Sequence, residues 1–291
     1  MYATMLAVAA LWGAAAGLLV PRAAYRLSVE PGEPWRGSCP SGHGFGGPVR
    51  GWIGGARCAT CATPVPAVSG RTADGDAGGS PDAPAAPAMP PTPATPATPT
   101  TPAAPTTPAT PASSVTVPFV TTAVCVAVAA ATGARPELAV WLLMVPFAVL
   151  LAVVDLRVHR LPDQLTLPLA AAAALLLGPV ALLPGHAGSW STALLGGLVL
   201  GGAYFMLFVI HPNGMGFGDV KLAVSLGVVL GWYGWTVLLA GAFAGFLFGS
   251  LYGVALMALG RAGRRTAIPF GPFMMAGALL GLLLGALAAR G

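Results

Sequence analysis

Past residue 115 the chain reads as a succession of apolar runs with almost no charge inside any of them. A helix that crosses a bilayer needs about 20 mostly apolar residues. Runs of this kind fall at 3–21, 115–133, 137–155, 164–184, 191–210, 219–231, 235–259 and 272–289. The sixth is short, and Gly231-Trp-Tyr-Gly234 after it reads as a tight turn with interfacial aromatics. The expected fold is therefore all-α: a polytopic membrane helix bundle of about eight transmembrane helices, with a small cytoplasmic Cys-containing insertion after the first. Composition agrees. Only 8% of the residues are charged and 56% are hydrophobic, against roughly 25% charged in an ordinary soluble domain. Such a chain cannot clothe a soluble core in charge, so the lipid bilayer is its solvent.

The charges that remain fix an orientation. With the N-terminus outside, alternate loops place Arg22, Arg26, Arg36, Arg50, Arg57, Arg71, Arg157, Arg160, Lys221, Arg261, Arg264 and Arg265 on the cytoplasmic side, and only Arg135 and Arg290 outside. The positive-inside bias is thus twelve against two. It accounts for the net charge of +5 without a nucleic acid partner.

Four domains are expected: 1–21, a first transmembrane helix; 22–70, a cytoplasmic cysteine-containing domain; 71–114, a disordered Pro/Ala/Thr-rich linker; and 115–291, the membrane-embedded domain. The start has no basic n-region and no clear small-residue cleavage site, so it reads as a retained anchor. Between 81 and 112 proline recurs nearly every third residue, which favours extended polyproline II and builds no core. Cys125 lies in an apolar run and reads as a small buried hydrophobe.

Acidic residues are the scarce resource. Of nine, only Glu137, Asp155, Asp163 and Asp219 lie past residue 82, and an ionisable group at hydrocarbon is a functional candidate by default. Asp155 ends the third span and Asp219 opens the sixth, so both fall at the cytoplasmic edge on different helices. Two close carboxylates resist ionising together; one holds a proton and the other activates water. Asp155 near a helix C-terminus and Asp219 at an N-terminus predict that Asp219 is mainly the base and Asp155 mainly the proton holder. Gly216 and Gly218 would let a substrate backbone approach Asp219. Asp163, after Pro162, reads as the N-cap of the fourth span. Lys221 either snorkels or biases the charge of the pair.

At these residues the chain resembles the type IV prepilin peptidases, of the GxGD membrane aspartic protease group. The matching segments are Asp155-Leu-Arg157 with Leu161-Pro-Asp163, then Gly216-Phe-Gly218-Asp219-Val-Lys221-Leu222, and Pro269-Phe-Gly-Pro-Phe273 before the last span. The resemblance covers most of 115–289. It implies an aspartic endopeptidase, with Asp155 and Asp219 catalytic and Gly216, Gly218, Lys221 and Asp163 in support. It implies cleavage of the short basic leader of prepilin or pseudopilin precursors at the cytoplasmic face of the bacterial cell membrane, with no cofactor for proteolysis. The family's cytoplasmic domain carries two CxxC pairs taken to bind zinc. Here Cys58-Ala-Thr-Cys61 matches the second, but Cys39-Pro-Ser-Gly42 has lost a cysteine beside His43. Two readings stay open: a Cys39, His43, Cys58, Cys61 zinc site, or a site without metal. Bifunctional members also methylate the new N-terminus with S-adenosylmethionine; no residue here marks a methyl-donor site.

Three other classes fit less well. A proton- or cation-coupled transporter using Asp155 and Asp219 as a relay calls for inverted repeats and polar residues at midplane, and neither is visible. A presenilin-type protease pairs GxGD with Tyr-Asp, whereas Val154 precedes Asp155. An idle assembly protein leaves the two aspartates unexplained.

Overall fold

The computed structural model describes residues 1–29, 32–39, 41–54, 58, 60, 116–212, 215–261 and 268–290. The linker, Cys61 and Arg264–Arg265 lie outside them. The described residues form nine helices: α1 (Tyr2–Leu27), the single turn α2 (Pro48–Gly51), α3 (Thr116–Thr132), α4 (Glu137–Val158), α5 (Asp163–Val180), α6 (Trp190–Ile210), α7 (Phe217–Gly231), α8 (Trp235–Ala258) and α9 (Gly271–Ala288). Among them there is no strand, only one isolated antiparallel bridge between Ser38 and Gly44.

Each apolar run has become a helix. By length and apolar composition, six are able to cross a membrane: α1, α4, α5, α6, α8 and α9. α3, described over 17 residues, and α7, with 15, are not among those six. The turn between α7 and α8 is present. Gly234 adopts φ 102° and donates its N–H to the Gly231 carbonyl at 3.0 Å. Trp232 in that turn points inward and is buried.

Three helix pairs are knit by glycine. Where lipid removes most of the hydrophobic drive between helices, close backbone approach and dispersion replace it. Gly13 and Gly17 of α1 lie against α3, where a Cβ on Gly17 would stand 2.6 Å from the Pro118 Cα. Gly196, Gly197 and Gly201 of α6 lie against α7. Gly241 and Gly245 of α8 meet Gly277 and Gly281 of α9; a Cβ on Gly277 would stand 2.6 Å from the Gly245 Cα. Gly277→Val is therefore expected to lower stability by about 2 kcal/mol or more through overpacking. Unfolding in detergent measures it. Gly202→Val, at a position with nothing within 4 Å, is the neutral control. Large apolar side chains such as Leu198, Phe243 and Ile210 stand exposed on the outside of the bundle, where lipid belongs.

α1 does not stop at residue 21, where its apolar run ends, but continues through Pro21 to Leu27. Hydropathy marks where a helix leaves hydrocarbon, not where it stops. The extra turns carry Arg22 and Arg26, which hold the insertion. The Arg22 guanidinium lies 4.6 Å from the centroid of the Phe45 ring and donates to the carbonyls of Gly46 and Ile53 at 3.3 and 3.4 Å. That of Arg26 lies 4.1 Å from the Trp52 ring and donates to the Arg50 carbonyl at 3.0 Å. These cation–π contacts fold the insertion back onto the end of the bundle that carries Asp155.

Candidate active site

The last turn of α4 delivers Asp155, which is only 4% exposed. The helix ends one turn later because His159 takes the left-handed conformation, φ 50°, with its N–H on the Asp155 carbonyl at 2.9 Å. That reversal sends Leu161 back over the bundle, where it is buried. Asp219 is the third residue of α7 and is 9% exposed.

At the start of α7 the Asp219 N–H donates to the Gly216 carbonyl at 3.0 Å, so Asp219 lies in the first turn of that helix. Asp155 meets a different helix start. Its Oδ2 accepts the N–H of Gly271, first residue of α9, at 3.1 Å. Both carboxylates therefore face a helix N-terminus, and the helix-end argument for unequal roles loses its basis. Asp155 lies within electrostatic reach of Asp219.

Leu161 ties the pieces together. A Cβ on Gly218 would stand 3.1 Å from the Leu161 Cβ, and one on Gly271 would stand 3.6 Å from its Cδ1. Gly218 is thus a packing glycine under the 159–163 loop, not an opening for a substrate backbone. Gly216 has no such neighbour; a Cβ there would meet only the Asp219 Oδ2, at 3.6 Å, and the Gly218 nitrogen.

Asp163 is not an N-cap. It is already the first helical residue of α5, Pro162 holds the cap position, and no side-chain cap bond forms. The carboxylate instead pairs with Lys221 at 2.6 Å. An N-cap residue must be extended to reach back to the helix amides, and the ion pair draws Asp163 toward α7. Lys221, 4.7 Å from the centroid of the Phe217 ring, spends its charge on this link between α5 and α7.

Gly271 is the residue that sequence reasoning missed. Its signal was the Pro269-Phe-Gly-Pro-Phe273 segment, but a backbone donor has no side-chain signature.

Two cavities adjoin this end of the bundle. One, of ≈ 230 Å³, is mostly polar and has Leu161, Asp163 and Arg160 on its wall. The other, of ≈ 250 Å³, is apolar and reaches from Ala152 and Pro272 to Trp141 and Leu282.

In the insertion, Cys39, His43 and Cys58 bring their ligand atoms within 4.8 Å of one another. A tight turn does this: the Gly42 N–H donates to the Cys39 carbonyl and the Cys39 N–H to the His43 carbonyl, both at 2.9 Å. The Cys39 Sγ lies 3.6 Å from the His43 Nδ1. Ligands of a tetrahedral zinc stand roughly 3.3–3.8 Å apart, so this donor set fits that ion with little movement.

The model of the type IV leader peptidase family matches residues 142–289. A Bacillus subtilis (strain 168) protein named prepilin leader peptidase/N-methyltransferase is 33% identical over 158 residues, which is 53% of this chain and 58% of that protein. An Aeromonas salmonicida (strain A449) protein of the same name is 36% identical over 148 residues, 50% of this chain and 48% of its own length. One from Escherichia coli (strain K12) is 31% identical over 175 residues, 57% of this chain and 73% of its own. The chain thus spans roughly half the length of the first two of these relatives. No solved structure matches it.

Proposed function

Because the chain belongs to the type IV leader peptidase family, we propose that it is a membrane aspartic endopeptidase acting on pilin-like precursors. It removes their short basic leader at the cytoplasmic face of the cell membrane, just before the precursor's hydrophobic helix. The observation that carries this reading is the pair Asp155 and Asp219: two buried carboxylates, from different helices, in each other's field at one end of the bundle.

The pair works as one acid and one base. The ionised carboxylate takes a proton from water as the water oxygen bonds to the scissile carbonyl carbon. The protonated carboxyl gives its proton to the carbonyl oxygen as the π bond breaks. Collapse of the tetrahedral intermediate then breaks the C–N bond: one of its hydroxyls returns a proton to the carboxylate that had given one, and the leaving nitrogen takes the proton that the other carboxylate had accepted from water. The Gly271 N–H on the Asp155 carboxylate holds that group in place between these steps. Gly218 and the Asp163–Lys221 pair support the site by fixing the 159–163 loop and α5 against α7. The two cavities suit the substrate, whose leader is polar and whose following helix is apolar. The relatives' second named activity, N-methyl transfer, has no residue-level argument in this chain, and the proposal is for the peptidase.

Co-expression with pilin-like precursors from the same genome tests it. Leader removal is expected as a shortened product on a gel, with the new N-terminus read by mass spectrometry. A chain that leaves every such precursor intact sinks the reading.

In the insertion, Cys39, His43 and Cys58 would hold zinc together with Cys61 of the CxxC. The ion would act as a cross-link in a segment too small for a core of its own. Full-length protein is expected to carry about one zinc per chain, with occupancy falling sharply in Cys58→Ser and His43→Ala. Equal, zinc-free preparations of all three decide for a site without metal.

A further inference from the structure

α6 is apolar almost throughout, and a phenol in such a helix calls for a reason. Tyr204 lies in it between Ala203 and Phe205 and is 3% exposed. A buried tyrosine ordinarily gives its hydroxyl a partner. Among the described residues Tyr204 has ring contacts but no hydrogen bond for its phenol.

The register of the α6–α7 pair says what Tyr204 stands level with. Going up α6, Gly196 meets Gly227 and Gly231, Gly197 meets Val228, and Gly201 meets Val224. The two helices are antiparallel, so one turn further along α6 corresponds to one turn nearer the start of α7. Tyr204 therefore stands level with Val220, the residue after Asp219. The Tyr204 ring also lies 6.4 Å from that of Phe270 and 5.4 Å from that of Phe246. Phe270 immediately precedes Gly271, whose N–H holds Asp155. Tyr204 thus adjoins the site, with Asp219 in electrostatic reach and its ring beside Phe270, the residue before the amide that holds Asp155.

We propose that the Tyr204 hydroxyl is a third catalytic group, a hydrogen-bond donor to the scissile carbonyl oxygen in the transition state, while the carboxyl proton is still in transit to that oxygen. This rests on the peptidase reading above. The phenol keeps its proton throughout: water, Asp155 and Asp219 carry the proton transfers already described, and Tyr204 supplies one O–H···O contact that strengthens as the carbonyl π bond breaks. A donor of this kind is worth more in the transition state than in the ground state.

The test is Tyr204→Phe, which keeps the ring and its packing on Phe246 and Phe270 and deletes only the hydroxyl. Single-turnover cleavage of a pilin-like precursor is expected to slow about 100-fold or more, with KM within about threefold of wild type. Infrared titration of the unmodified protein adds a readout independent of that variant's folding. A tyrosine band is expected to respond as the Asp155–Asp219 pair titrates, and to lose that response in Asp219→Asn. Tyr204→Phe cleaving at the wild-type rate overturns the proposal, as does a tyrosine spectrum indifferent to the pair. A wild-type chain that cleaves no precursor sinks the peptidase reading instead and takes the donor role with it.

Discussion

Asp155→Asn and Asp219→Asn are each expected to reduce leader removal by at least about 1,000-fold, equivalent to some 4 kcal/mol of lost transition-state stabilisation. The substitution keeps shape and volume, so the fold survives it. What disappears is the exchangeable proton: an amide neither ionises to accept one from water nor holds an acidic one to give to the carbonyl oxygen. Because the pair acts as a unit, the double variant should be hardly worse than either single one. The ratio of precursor to mature product in co-expression reads this first, and single-turnover cleavage in detergent quantifies it. Should both single variants still cleave at a tenth of the wild-type rate or better, these aspartates are not the reacting groups.

Gly271→Ala is expected to be the next most damaging of these changes, although it adds one methyl group and removes no polar atom. The new Cβ would stand 2.7 Å from the Asp155 Oδ2 and 3.2 Å from its Cγ, distances that force the carboxyl to move. Asp155 is buried, and Leu161 packs against the same glycine, so the carboxyl cannot yield without leaving the 3.1 Å hydrogen bond from Gly271. A displacement near 1 Å at a reacting group costs about 100-fold in rate. We expect that loss in kcat, with thermal stability close to wild type. Gly277→Val, further along α9, should show the opposite pattern: lost stability with normal turnover in whatever fraction folds. If Gly271→Ala cleaves at the wild-type rate, the α9 start is packing against Asp155 without controlling it.

The helices were legible because hydrocarbon imposes one strong rule, and each apolar run obeyed it. Asp155 and Asp219 were legible because few carboxylates stand in the membrane domain. Partners were harder to see. Asp163 looked like a cap because it follows a proline at a helix start, and only the fold reveals Lys221 beside it. The two glycines of Gly216-Phe-Gly218 looked alike in sequence, yet the carbonyl of one accepts the Asp219 N–H and the other lies beneath Leu161. Gly271 acts through its backbone and Tyr204 through the register of two glycine-lined helices. Neither property is written in a residue's own chemistry; both arise when distant segments meet.

The glycine seams have a mechanical consequence. Within α6–α7 and α8–α9 the backbones touch, so each pair behaves as a stiff plate. Asp219 belongs to the first plate, the Gly271 amide to the second, and Asp155 to α4, outside both. The two aspartates and the Gly271 amide therefore sit at a joint where three bodies converge. The alignment of the two carboxylates then registers any shear in the assembly, as the jaws of a caliper register the position of its arms.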